Sequence, residues 1–157
     1  MSDVDLLVDL LSEAYDRKSW HGTNLRGSIR GLSAAVAARR PDEGRHNIWE
    51  LVVHAAYWKY AVRRRLTGET RGSFPLQGSN WWPRPVAATE AAWKEDVALL
   101  ASEHKALMAA VRAFPARRLR QAAPGSAFTF AALIRGAAAH DLYHAGQVQV
   151  IKRLVKD

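Results

Sequence analysis

The chain has 157 residues, no cysteine and a formal net charge of +8. This length fits a single domain over residues 1–157, and a hydrophobic content of 48% is enough to form a core. The absence of cysteine excludes disulfides, zinc–thiolate sites, iron–sulfur clusters and thiol nucleophiles, so any metal site must use histidine and carboxylate ligands.

The N-terminal segment carries acidic residues where a signal peptide needs positive charge, and no apolar run approaches the ~18–20 residues of a membrane span. We therefore expect a soluble, cytoplasmic protein with no membrane partner. The basic residues are scattered, with small groups at 63–65 and 117–120. Because they form no basic stripe interleaved with aromatic residues, we interpret the charge as a solvated surface that can also attract acidic small molecules.

The spacing of apolar residues predicts a first helix from Ser2 to Tyr15, with Ser2 as its N-cap. A continuation of this helix, or a second short helix, is expected over residues 23–32. Ser33 is a candidate cap for a further short turn that ends before Pro41.

A second long helix is predicted from Asn47 to Thr67, because Asn47 and Glu50 have the spacing of a capping box and Gly68 is a typical stop. The following segment, residues 68–88, contains several Gly and Pro residues and cannot be helical throughout. It is the longest predicted connection in the chain.

Apolar periodicity predicts a third long helix over residues 89–113 and a last one over residues 130–156, capped by Thr129. Four long helices indicate an all-α protein with a four-helix bundle. About twenty extended residues reach up to ~65 Å, whereas a helix of that length spans only ~30 Å. The connection over residues 68–88 can therefore cross the bundle, so that the second and third long helices run parallel.

Three histidines in helix interiors are candidate metal ligands. His140 and His144 lie four residues apart in HDLYH, so both project from one helix face and can bind one divalent cation at ~2.0–2.1 Å. His54 lies in the apolar run WELVVHAAYW. Three buried imidazoles without partners would cost several kcal/mol, which a metal ion would remove. Hydrogen-bonded core histidines are the alternative interpretation.

The pattern HDLYH also looks like a shortened HExxH helix of a zinc protease, with Asp141 in place of the glutamate base. This alternative is poor, because Asp is one methylene shorter than that base. Too few residues follow His144 to supply the downstream third ligand that such enzymes carry. The third ligand must therefore lie upstream, where His54 is the candidate.

Few other side chains near these histidines are candidates for chemistry. Glu50 is either a partner of the site or a general base, and its capping position explains it equally well. Asp141 points away from the histidine stripe, and we predict that it lies on the helix surface. Tyr57 and Tyr143 are either donors to a metal-bound oxygen or core residues, and we expect both to pack in the core.

The remaining histidines and two tryptophans are assigned by their positions along the chain. His21 and His46 are expected to have loop or capping roles near helix ends, and His104 is expected on the surface. Trp81 and Trp82 precede Pro83 in the long connection. They either cover the bundle or line the rim of a pocket.

The segments HNIWELVVHAAYWKYAVRRRLTGE and GAAAHDLYHAGQVQVIKRL resemble the DinB-like superfamily, which includes the YfiT-type metal-dependent enzymes. The motif that carries the resemblance pairs His54 with His140 and His144, the latter followed by Ala-Gly-Gln. The resemblance covers nearly the whole chain, including the early Trp-His-Gly at residues 20–22. It implies a four-helix bundle of up-down-down-up order and a divalent metal, usually nickel or zinc, held by these three histidines.

This resemblance also suggests a function: a metal-dependent hydrolase, or a thiol-dependent transferase that uses a low-molecular-weight thiol such as bacillithiol, mycothiol or glutathione. The substrate would be a small molecule, since three His ligands leave metal coordination positions open. The alternatives are a non-catalytic metal-binding or stress-response protein and, less favoured, nucleic-acid binding through the basic surface. Because Ala-rich helix faces pack closely, a homodimer is also expected.

Overall fold

The structure is a computed structural model that describes residues 1–155. These residues form six α-helices and one short 3-10 turn, with no β-strand among them. The elements are α1 (Asp3–Tyr15), α2 (Leu25–Ile29), α3 (Ala34–Ala38), α4 (Ile48–Thr67), α5 (Glu90–Arg112), the 3-10 turn Ala116–Arg118 and α6 (Phe130–Leu154). The all-α class and the four long helices predicted from the sequence are confirmed. The predicted end of the last helix at residue 156 lies outside the described residues.

Each long helix begins after a residue whose side chain accepts a backbone N–H of the first turn, which satisfies a donor that the helix itself leaves free. These N-caps are Ser2, Asn47, Thr89 and Thr129. The Asn47–Glu50 capping box is formed as predicted, and Gly68 ends α4 in the left-handed conformation, with φ 79°. The Asn47 amide also donates to the Arg84 carbonyl at 2.8 Å, which ties the long connection to the start of α4.

Helices α4 and α5 run side by side in the same direction. In the first half of both helices, Trp49 Nε1 donates to the Asp96 carboxylate at 2.7 Å. Further along both helices, Lys59 Nζ lies 3.3 Å from His104 Nδ1. The connection between them must therefore travel back along the bundle, as its length predicted. The complete up-down-down-up order stays a prediction.

The core consists of two apolar clusters separated by a polar layer. Lys59 on α4, His104 on α5 and Asp141 on α6 each stand between residues of one cluster and residues of the other. All three are buried. Within residues 1–155, no helix combines the length and the apolar character needed to cross a membrane.

Candidate metal centre

His54 is buried on α4 and is held by the connection that follows this helix. Its Nδ1 lies 2.8 Å from the Asn80 carbonyl oxygen. Because a carbonyl only accepts, Nδ1 carries the proton and Nε2 keeps its lone pair. Asn80 has φ 71° and accepts a hydrogen bond from Trp58 Nε1 at 2.9 Å, and Trp81 stacks on the imidazole with ring centroids 3.8 Å apart. The connection thus fixes both the orientation and the tautomer of His54.

His140 and His144 project from one face of α6, as their spacing predicted. Their ring centroids are 4.3 Å apart. His144 Nδ1 lies 2.6 Å from the Gln147 side-chain oxygen, so it donates there and leaves Nε2 free. His140 Nε2 lies 3.1 Å from His54 Nε2 and 3.0 Å from His144 Nε2. The three Nε2 atoms therefore converge on one point between α4 and α6.

The convergent nitrogens have too few protons to satisfy one another. Burial lowers the pKa of His54 to about 4 and that of His140 to about 3, and it also lowers the pKa of His144. All three rings are therefore neutral near pH 7. His54 and His144 carry their protons on Nδ1, so both of their Nε2 atoms present a lone pair to His140 Nε2. That nitrogen holds at most one proton and can donate to only one of the two.

A metal ion would satisfy these lone pairs. The three residues form a group whose ligand nitrogens all lie within 4.8 Å of one another. Two nitrogens bonded to the same cation at 2.0–2.1 Å lie about 2.9–3.4 Å apart, and the spacings of 3.0 and 3.1 Å fall in this range. The hydrogen bonds on Nδ1 of His54 and His144 are those that commonly orient metal-binding histidines. The donor set therefore fits a divalent cation.

An open cleft of about 930 Å³ leads to the three histidines. Apolar side chains form much of its wall, namely Leu51, Tyr143, Val150, Ile151 and Leu154. Asp42 and Arg45 lie at its rim, and both are exposed. The cleft can therefore take a small molecule with a largely apolar body directly against the histidines.

Two adjoining tryptophans of the connection have different roles. Trp81 lines the cleft, where it lies between the rings of His46 and His54 at centroid distances of 3.6 and 3.8 Å. Trp82 instead packs against Tyr57, with ring centroids 5.3 Å apart. Both predicted alternatives therefore occur, one at each tryptophan, and the expected packing role of Tyr57 is confirmed.

Glu50 is buried and fully engaged by its neighbours. It completes the α4 capping box and accepts hydrogen bonds from Arg40 and from His46 Nδ1, the latter at 2.9 Å. Burial alone would raise the pKa of Glu50, but the hydrogen bonds from Arg40 and His46 lower it below its ordinary value. The capping interpretation is confirmed. His46 stacks on Trp81, which stacks on His54, so these two rings link Glu50 to His54.

Three sequence predictions about individual side chains are wrong. Asp141 does point away from the histidines, but it is completely buried and forms an ion pair with buried Lys59. His104 is also buried, stacked on Tyr15 with ring centroids 3.8 Å apart. Tyr143 is 64% exposed at the cleft and does not pack in the core.

The roles of Asn80, which holds His54, and of Lys59, which pairs with Asp141, were not identified from the sequence. Asn80 gave no local signal, because its contact with His54 depends on the path of an irregular connection. Lys59 did give a local sequence signal, since it is a single charge within the apolar run VVHAAYWKYAV. A lone charge in such a run indicates a buried partner on a neighbouring helix.

The sequence profile of the DinB superfamily matches residues 18–148 of the chain. The match spans most of the chain and includes all three convergent histidines, so the chain belongs to the DinB superfamily. Comparison with curated proteins and with solved structures finds no significant match.

Proposed function

We propose that this protein is a metal-dependent enzyme whose divalent cation, nickel or zinc, is held by His54, His140 and His144. The observation that supports this most directly is the convergence of three neutral Nε2 atoms at the base of an open cleft. A closed structural site would surround the metal with four protein ligands, whereas three histidines leave positions for substrate.

The side chains of the cleft suggest how a substrate would be held. The apolar wall around Leu51 and Ile151 would bind the body of a small molecule and exclude water from it. Arg45 at the rim would attract an acidic group. Trp81 and Asn80 would keep His54 in place while substrate exchanges.

The reaction we favour is hydrolysis or transfer of a group to a low-molecular-weight thiol. A divalent metal held by these three histidines would supply Lewis acidity, which would lower the pKa of a water or thiol bound to it. Both oxygens of Glu50 already accept hydrogen bonds. We therefore assign no general base among the residues of the chain.

Loss of any one of the three histidines is expected to abolish tight metal binding. We expect the native chain to hold one nickel or zinc ion per protomer, and His54→Ala, His140→Ala and His144→Ala each to bind more than about 100-fold more weakly. A lost ligand costs more than the 10–100-fold typical of a lost outer hydrogen bond. Elemental analysis after dialysis and calorimetric titration measure this.

His21→Ala is the matched control, because His21 is exposed and does not line the cleft. Undiminished metal in all three cleft variants would refute the proposal. Ester, amide and thiol-conjugation assays on the loaded native chain and on His140→Ala then test catalysis. Full metal loading without turnover of any substrate class would favour a non-catalytic metal-binding protein.

Gln147→Leu is expected to weaken metal binding about 10–100-fold, because His144 loses the acceptor that fixes its tautomer. The distance from His144 Nδ1 to the Gln147 oxygen is 2.6 Å. Competition with a chromophoric chelator measures the affinity. Gln149→Leu makes the same change on the same helix without contacting a histidine of the cleft, and it should bind like the native chain. Equal affinities for the two variants would contradict the assigned role of Gln147.

A further inference from the structure

A second depression, of about 350 Å³, lies between α1 and α5. It shares no lining residue with the cleft that leads to the three histidines. The stacked rings of Tyr15 and His104 are part of its lining, with their planes inclined by only 20°. Neither residue has a role in the proposed metal chemistry.

The tautomer of His104 is set from below by Lys59. The Lys59 ammonium lies 3.3 Å from His104 Nδ1. Because an ammonium group only donates, Nδ1 is the acceptor and the proton of the neutral ring is on Nε2. Burial and the nearby Lys59 charge lower the pKa of His104 to about 3, so the ring stays neutral near pH 7. His104 Nε2 is therefore a fixed hydrogen-bond donor.

Tyr15 contributes a second donor to the lining of the depression. Burial raises the pKa of its hydroxyl to about 12, so the proton is retained. Within residues 1–155, neither the Tyr15 hydroxyl nor His104 Nε2 has a hydrogen-bond partner, and neither is among the fully enclosed polar atoms. Two residues that line the depression thus each carry a donor with no acceptor among the described residues.

The charges around these donors are mostly positive. Arg26, Lys105 and Arg112 line the depression, whereas Asp16 is its one acidic lining residue and lies 3.6 Å from Arg26. The Lys59 charge beneath the floor is balanced by Asp141. Two cations at the mouth, Lys105 and Arg112, have no ion-pair partner among the described residues.

We propose that this depression is a binding site for an oxyanion, a phosphate or carboxylate group of a small molecule. One oxygen accepts from the Tyr15 hydroxyl and another from His104 Nε2, while Lys105 and Arg112 supply the opposite charge. Hydrogen bonds stabilise a bound anion most where neutral donors are already oriented and no proton has to move. The site is independent of the metal, so each of the two proposals can fail without the other.

Inorganic phosphate and acetate are the probes, each titrated into the native chain at constant ionic strength set with chloride. Amide and histidine-ring nitrogen resonances report binding residue by residue. We expect the signals of Tyr15 and His104 to shift, with a dissociation constant of about 1 mM for the preferred anion. The tighter of the two probes identifies the class of ligand.

Tyr15→Phe keeps the stacked ring and removes only the hydroxyl, and Arg112→Gln removes one rim charge. Each is expected to weaken binding about tenfold, as for the loss of one hydrogen bond to a charged group. Tyr57→Phe and Arg120→Gln are the matched controls, since Tyr57 packs against Trp82 and neither residue lines the depression. The proposal fails if both probes leave Tyr15 and His104 unshifted, or if the two site variants bind like their controls.

Discussion

Lys59→Met is expected to destabilise the folded chain by about 3–5 kcal/mol, the cost of leaving a buried carboxylate without its cation. The side chains of Lys59 and Asp141 are each only 1% exposed. One Asp141 oxygen, Oδ1, already has no hydrogen-bond partner among the described residues. Removing the ammonium would leave the other oxygen unpaired as well.

The double variant Lys59→Met/Asp141→Leu separates the cost of an unpaired charge from the cost of altered packing. Replacing both members of a buried ion pair by apolar residues is often neutral or stabilising by about 1–4 kcal/mol. We therefore expect urea denaturation to show the double variant near native stability or above it, and well above Lys59→Met. If both variants unfold at the same urea concentration, the ion pair is not the source of the effect.

Arg17→Met is the control for a general loss of positive charge. Arg17 forms ion pairs with Asp9 and Glu13, but these side chains are 40–46% exposed. Exposed pairs contribute about 0–1 kcal/mol, so this variant should change stability only slightly. A loss as large as that of Lys59→Met would point to net charge as the cause, and not to burial.

The buried polar layer of Lys59, His104 and Asp141 is the part of the core that the sequence analysis did not predict. The pattern of one helix indicates its own apolar face, and this was sufficient to predict the long helices and their caps. It does not tell which neighbour covers each face. Asp141 and His104 each continue the buried stripe of their helix, His104 between Leu100 and Leu107 and Asp141 between Ala138 and Ala145, so polar character alone gives a wrong surface prediction for both.

The candidate metal site was predictable to the extent that its geometry is local. His140 and His144 share a helix face at fixed spacing, so their approach follows from helical geometry alone. Their approach to His54 depends on how α4 packs against α6, and the family motif supplied that information. The contact from Asn80 required the path of the long connection, which neither periodicity nor turn signals determine.

Acidification is expected to destabilise the metal-free chain, with His104 as one main cause. The pKa of His104 falls from its ordinary 6.5 to about 3 in the folded state because of burial and the Lys59 charge. Below pH 6.5 the unfolded chain therefore binds a proton that the folded chain does not bind, and stability decreases as the pH falls toward 3. Above pH 6.5 the contribution of His104 to stability is fully present and constant.

His104→Gln isolates this contribution, because the introduced side-chain amide cannot titrate but its oxygen can still accept from Lys59. We expect the variant to be less stable than the native chain at pH 7, since it loses the stacking on Tyr15. Within the titration window, a change of one pH unit changes the unfolding free energy by at most about 1.4 kcal/mol per titrating group. The difference in unfolding free energy should therefore shrink by about 1–2 kcal/mol between pH 6.5 and pH 5.

Urea denaturation of metal-free protein across this pH range measures the difference, and His21→Ala serves as the control. His21 is exposed, so its replacement should leave the pH profile of stability unchanged. His54, His140 and His144 are present in all of these proteins, so their contributions to the pH dependence of stability cancel in the comparison. A constant gap between native chain and His104→Gln from pH 7 to pH 5 would contradict a neutral, buried His104 and, with it, the donor assigned to the floor of the α1–α5 depression.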